Sequence, residues 1–104
     1  MDWTEPPDPF RQFAGGSRML LPLGAMSIGT RFGQISRPGE VEPGPLAVES
    51  IGSFLQLSMG LTAWKEYGPD RWSLRSNPSS GNLYPTETYV LCHRIDGVAN
   101  GLHH

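Results

Sequence analysis

One stretch of the chain combines residue types that can do chemistry: Arg75, Asn77, Pro78, Ser79, Ser80, Gly81, Asn82, Pro85 and Glu87, all within thirteen consecutive positions. Asn77 followed by Pro78 reads as a helix start, with Asn as the cap and Pro at the first helical position. Ser79 and Ser80 then fall in the first turn, where backbone N–H groups lack intrahelical partners and face an anion or the electron-rich edge of a heterocycle. Gly81 has no Cβ, so a flat ligand can approach the backbone there. The alternative is a polar turn joining two elements. Composition by itself favours that simpler reading, because turns rich in Asn, Pro, Ser and Gly are common.

Other chemistries find no footing. There is no GxxxxGK[ST] phosphate loop, and Gly24, Gly29 and Gly33 have the wrong spacing for GxGxxG. Ser79 and Ser80 lack the upstream glycine of a nucleophile elbow. Cys92 and His93 are neighbours on a strand, so their side chains leave opposite faces and form no dyad. His103 and His104, adjacent in sequence, make a poor metal site. Cys92 is the single cysteine, which leaves no disulfide within the chain and points to a reducing, cytoplasmic location.

The whole chain bounds these readings. Its 104 residues make at most one small domain. Eight basic against ten acidic residues argue against a nucleic-acid-binding surface, yet leave room for a small anionic ligand. Met1 to Glu5 is acidic and polar, unlike a secretory signal. Met19 to Ile28 is apolar but interrupted by Pro22 and Gly24, and too short to span a bilayer. Hydrophobic residues are 38% of the chain, with 13 glycines and 10 prolines, a thin supply for an independent core.

Two segments follow from this composition. Residues 1–44 are a Pro/Gly-rich arm with little regular structure. Pro6, Pro7 and Pro9 extend its start, Phe10 and Phe13 can anchor it to a surface, Arg18 to Leu23 is a short strand or extended segment, and Arg31, Phe32 and Ile35 form a weak apolar island. Residues 45–104 hold the body. Pro45 reads as the first position of a helix with Glu49 in its first turn. Val48, Ile51 and Leu55 keep helical spacing, as do Phe54, Leu57 and Leu61, so the helix is apolar over a wide arc and should be buried on more than one side. Lys65 suits its C-terminal end, and Gly68-Pro69 stops it. Trp64 and Trp72 beside that stop are core or interface residues, or line a pocket. Residues 71–75 alternate as a short strand. Thr88 to Ile95 reads as a second strand with Tyr89, Leu91, His93 and Ile95 on one face and Val90, Cys92 and Arg94 on the other. Asp96-Gly97 is a turn, and a return segment from Val98 is broken at Asn100-Gly101. The chain stops at what reads as an unfinished strand, so a truncated domain is expected.

With these residues in view, Asn77 to Leu91 (NPSSGNLYPTETYVL), preceded by Arg75, resembles the flavin-binding segment of the nitroreductase superfamily. The closer resemblance is to the SagB-type dehydrogenase branch, whose form is Arg-x-x-Pro-Ser-Ala-Gly-x-x-x-Pro-x-Glu-x-Tyr. Arg75, Pro78, Ser79, Gly81, Pro85, Glu87 and Tyr89 occupy that spacing, with Ser80 at the Ala position. The resemblance covers about residues 45 to 104. It implies an α+β, nitroreductase-like fold, present in part, and a homodimer with FMN at the interface. It also implies that Pro78, Ser79, Ser80 and Asn82 lie along the isoalloxazine ring, close to Gly81, and that Arg75 adds positive charge. The implied chemistry is hydride transfer through FMN, acting on small-molecule or peptide substrates. Two departures stand against a complete site: the Arg-Arg-Ser-x-Arg element that holds the FMN phosphate in most members is missing, and so is the second half of the domain. Weak or no FMN binding by this chain alone is therefore expected. The alternative is a non-catalytic relative that has lost flavin and keeps an interaction surface.

Overall fold

A computed structural model describes residue 8, residues 10–24 and residues 29–104. The extended start expected at Pro6, Pro7 and Pro9 and the end of the Met19–Ile28 stretch lie outside the described residues. The described chain is a small α+β arrangement: α1 (Phe32–Ile35), α2 (Val48–Met59), β1 (Leu61–Tyr67), β2 (Asp70–Arg75), a single 3-10 turn at Ser80–Asn82, β3 (Val90–Cys92) and β4 (Gly101–His103). The strands form two separate antiparallel pairs, β1 with β2 and β3 with β4.

The helix begins at Val48, not Pro45, because its first donors are satisfied there. The Ala47 N–H donates to Ser50 Oγ at 3.0 Å, and the Ser50 hydroxyl returns a bond to Ala47 O at 2.8 Å. The Val48 N–H, which has no partner within the helix, donates to Asp96 O at 3.2 Å. Glu49 sits in the first turn as expected.

The helix does not run on to Gly68-Pro69. Gly60 closes it, donating to Gln56 O at 3.0 Å and turning extended at φ −63°, ψ 162°. The next seven residues, with Thr62, Trp64 and Tyr67 among them, favour a pleated surface, and they form β1. Gly68 and Pro69 are the two-residue loop of a β-hairpin whose last pair is Tyr67 with Asp70. Gly68, at φ +60°, takes the first central position, where type II′ loops require glycine. Lys65 is therefore a strand residue. Thr62 is the extra residue of a bulge between the Leu61–Arg75 and Ala63–Leu74 pairs.

The second pair is shorter than Thr88 to Ile95 promised. Arg94 turns to φ +55°, its N–H capped by Asn100 Oδ1 at 2.7 Å, and the ladder ends at Cys92. The Asp96-Gly97 turn is present, with the Val98 N–H on Ile95 O at 3.2 Å. Gly101 opens β4 instead of breaking the return segment. Alternation holds: Cys92 is buried and Leu91 is exposed opposite Leu102.

Little of this surface is covered within the chain. Cys92 is the one buried apolar side chain among the described residues. The radius of gyration, 17.0 Å, exceeds the roughly 13 Å of a compact domain of this length. The two-sided burial expected of α2 is not formed: Phe54 and Leu57 face outward, and only Gly52 and Ser53 are buried. That buried side is met by the arm. The Ser53 hydroxyl donates to Gly24 O at 2.8 Å, and a Cβ at Gly52 would stand 2.7 Å from Pro22 O. Arg18 to Leu23 carries no regular structure, and Arg31, Phe32 and Ile35 gather in and beside α1, exposed.

Gly52→Ala decides whether this contact matters. In a free helix alanine stabilises by about 1 kcal/mol relative to glycine; against Pro22 it overpacks, at a cost of about 1–3 kcal/mol. Urea unfolding followed by far-UV circular dichroism should show a net loss for Gly52→Ala, and a gain would place Pro22 off the helix.

Candidate functional site

The chemistry-bearing stretch runs from the end of β2 to β3. Its first expected feature, a helix start at Asn77-Pro78, is absent. The only helical turn begins at Ser80, after Ser79 in extended conformation (φ −133°, ψ 135°). Gly81 (φ +66°), Asn82 (φ +57°) and Tyr84 (φ +44°) are left-handed, which a propagating helix does not allow. With no helix there is no macrodipole, so donors at this loop act as single groups and not as a helix terminus.

Tyr84 organises the loop. Its hydroxyl accepts the Arg75 N–H at 3.2 Å, and its own N–H donates to Ser79 Oγ at 3.0 Å. The Asn82 N–H closes the turn on Ser79 O at 3.1 Å. One residue thereby ties Arg75 to Ser79 across the loop. Arg75, Ser79 and Asn82 are half-buried, whereas Pro78, Ser80 and Gly81 are exposed along one edge. A Cβ at Gly81 would meet only the Leu83 side chain, at 3.6 Å, so glycine is needed there for backbone conformation and not for space. In the sequence, the one signal of this role for Tyr84 is an aromatic residue between Gly81 and Pro85.

The β1–β2 hairpin supplies a second wall. Pairing of Trp64 with Ser73 and of Glu66 with Arg71, together with strand alternation, puts Trp64, Glu66, Arg71, Ser73 and Arg75 on one face. The Arg71 guanidinium lies 4.5 Å from the Trp64 ring centroid and 3.2 Å from Glu66. Arg75 lies over two rings, Tyr84 at 5.0 Å and Phe10 at 5.5 Å, and Phe10 also approaches Trp64, with centroids 6.3 Å apart. Trp64 thus belongs to an exposed aromatic and cationic face, while Trp72, half-buried, takes the opposite one. Ser73 is 2% exposed, and its hydroxyl has no hydrogen-bond partner among the described residues. Burying it so costs about 1–3 kcal/mol.

Glu87 gathers three segments. Its carboxylate accepts from Arg11 at 2.6 Å and from the Tyr89 hydroxyl at 2.7 Å, with His104 Nε2 at 3.9 Å. The His104 ring in turn packs edge-on against Phe13 at 4.8 Å and beside Tyr89 at 5.1 Å. The hydrogen bond from Tyr89, then that from Arg11, holds the Glu87 carboxyl below its ordinary pKa. The same Tyr89–Glu87 bond pushes the Tyr89 phenol up. Phe10 and Phe13 do anchor the arm, as expected, and their partners are the hairpin face and the Glu87 cluster.

Among the described residues no three His, Cys, Asp or Glu side chains gather as a metal site. His103 Nε2 is 2.8 Å from Ala99 O, and Cys92 and His93 are divided between buried and exposed faces. No described helix is long and apolar enough to cross a membrane. Compared with known proteins, the chain matches no family model, no curated protein and no solved structure.

Two outcomes follow. Tyr84→Phe removes the acceptor of the Arg75 N–H and should cost about 1 kcal/mol, with faster amide exchange at Arg75; unchanged exchange would show that the hydroxyl does not hold the loop. A depressed Glu87 pKa stabilises the arm contact at all pH values above the carboxyl's unfolded pKa, and that contribution disappears as pH falls through the lower, folded value. The Phe13 and Tyr89 ring resonances should therefore titrate with a midpoint below that of the same carboxyl in the unfolded chain. Glu87→Gln should abolish that transition.

Proposed function

We propose that the chain is part of an FMN-dependent oxidoreductase of the nitroreductase type, nearest to SagB-type dehydrogenases, in which Arg75, Pro78, Ser79, Ser80, Gly81 and Asn82 form one wall of the flavin site. The observation that carries this reading is the residue pattern from Arg75 to Tyr89, in a loop where Tyr84 joins Arg75 to Ser79. A ring wall needs a thin edge and donors that do not shift when charge arrives. The exposed edge at Pro78, Ser80 and Gly81 suits a flat ring, and Ser79, its oxygen fixed by the Tyr84 N–H, spends its hydroxyl proton only on a long 3.5 Å bond to Ser80 O, which a ring acceptor would replace. Arg75 places a cation beside that edge.

The residues fit the ring better than the phosphate. Arg11, Arg37 and Arg71 are paired with Glu87, Glu40 and Glu66. A phosphate held by any of these three would have to displace its carboxylate. A second copy of the chain is the natural partner in this reading, meeting the exposed Phe54, Leu57 and Leu61 of α2 and the start of β1. When bound, FMN supplies hydride transfer. The chain's part is to position the ring, hold donors at its edge through Ser79 and Ser80, and stabilise negative charge on the reduced ring through Arg75.

A second reading, a flavin-free interaction module, is favoured by that same exposed apolar arc, which would bind a partner whether or not flavin is present.

Titration with FMN separates the two. Flavin fluorescence should be quenched on binding, and Arg75→Ala and Ser79→Ala should each weaken binding about tenfold or more, the scale of one charge-assisted hydrogen bond. Absence of FMN uptake at millimolar concentration, by a chain that sedimentation velocity shows to be self-associated, would leave only the interaction module.

A further inference from the structure

Two other features of the molecule invite a role. The concavity beside α1, between Arg31, Gln34, Arg37 and Glu40, has its Arg37 neutralised by Glu40 at 3.1 Å and rests on a helix of one turn. The Leu91–Leu102 pair on the outer face of β3 and β4 is apolar and exposed, but no feature beside it selects an occupant. The arm is different, because Phe10 contacts Arg75 of the proposed flavin wall and Arg11 pairs with Glu87, a short way beyond it in the chain.

Phe10 approaches Trp64 at 6.3 Å and lies under the Arg75 guanidinium at 5.5 Å. Its neighbour Arg11 bonds Glu87 at 2.6 Å, on the far side of the loop from Arg75. Phe13 is seated on His104. An aromatic ring carried by the chain itself therefore occupies the cationic and aromatic face that ends at Arg75, and an ion pair fixes that ring's backbone. Both contacts are weak and solvent-facing, Phe10 being 38% exposed, so they can open on the scale of ordinary ligand binding.

We infer that the Phe10–Phe13 segment is a built-in competitor for the flavin wall, an autoinhibitory strap that must leave Arg75 before a ring-shaped anionic ligand can engage it. The inference rests on the flavin reading above and adds its regulation. The ligand has two advantages over the strap. It carries negative charge, which Phe10 does not. Its ring acceptor atoms can also satisfy the buried Ser73 hydroxyl on the same face, which a phenyl ring cannot. Apparent affinity is then the intrinsic affinity reduced by the fraction of chains with the strap open.

The test uses the full chain with FMN as the probe. The double variant Phe10→Ala/Arg11→Ala should bind FMN about tenfold more tightly than the unaltered chain, the sum of one exposed cation–π contact and one exposed ion pair. Glu87→Gln opens the same ion pair from the loop side without touching the arm, and should give a smaller gain in the same direction. The Trp64 indole N–H resonance should shift alike on Phe10→Ala and on adding FMN to the unaltered chain. Equal FMN affinities in all three proteins overturn the strap and leave the flavin wall standing. No uptake by any of them, in protein that sedimentation velocity shows to be self-associated, overturns both. A Trp64 resonance indifferent to Phe10→Ala shows that the arm is not seated there, and overturns the strap alone.

Discussion

Three separate parts of the chain meet at Arg75. It ends β2, its main-chain N–H is held by the Tyr84 hydroxyl, and its guanidinium spans the rings of Tyr84 and Phe10. Without it the arm would touch the hairpin only through Phe10 and Trp64, and the far end of the loop only through Arg11 and Glu87. The contact works because guanidinium is planar and weakly hydrated, so it can lie on two ring faces at a small desolvation cost. Tyr84 complements it with an apolar face for the stack and a polar tip for the backbone. Position at the loop is thus set by directional contacts of a few residues and not by a packed interior.

That matters because packing supplies so little here. A two-stranded hairpin is marginal by itself and gains stability by burying a face against another element. Here β1 is exposed along its whole length, and β2 is partly covered, with Ser73 as its one buried residue. The helix likewise gives the arm its glycine and serine side and turns phenylalanine and leucine outward. The apolar residues are present in the right periods, but the surfaces they would meet are not within the described chain.

This separates what the sequence made legible from what it hid. The helix core was readable because Val48, Ile51 and Leu55 share a period, and its beginning and end were not, because both depend on partners. Val48 starts the helix where Asp96 can accept its N–H, a contact between distant residues that no local rule exposes. Leu61 keeps the spacing of Phe54 and Leu57 and so extends the helical period, whereas Gly60 followed by Thr62, Trp64 and Tyr67 is the signal of a strand. At the candidate site the identity of the residues was legible and their conformation was not. Asn-Pro suggested a helix cap, but Gly81, Asn82 and Tyr84 in left-handed conformations permit only a single tight turn. Phe10 and Phe13 were recognisable as anchors by type; their partners, lying across the chain, could not be read from it.

The bond between Val48 and Asp96 has a further consequence for how such a chain is made. The helix waits for a carbonyl half the chain away, in the turn that precedes β4. During synthesis the residues of α2 emerge long before that acceptor exists, and closing so distant a contact is slow compared with forming a helical turn. The first turn of α2 is therefore settled late, when the last pair of strands forms, and until then its apolar side is open to any neighbour that emerges with it.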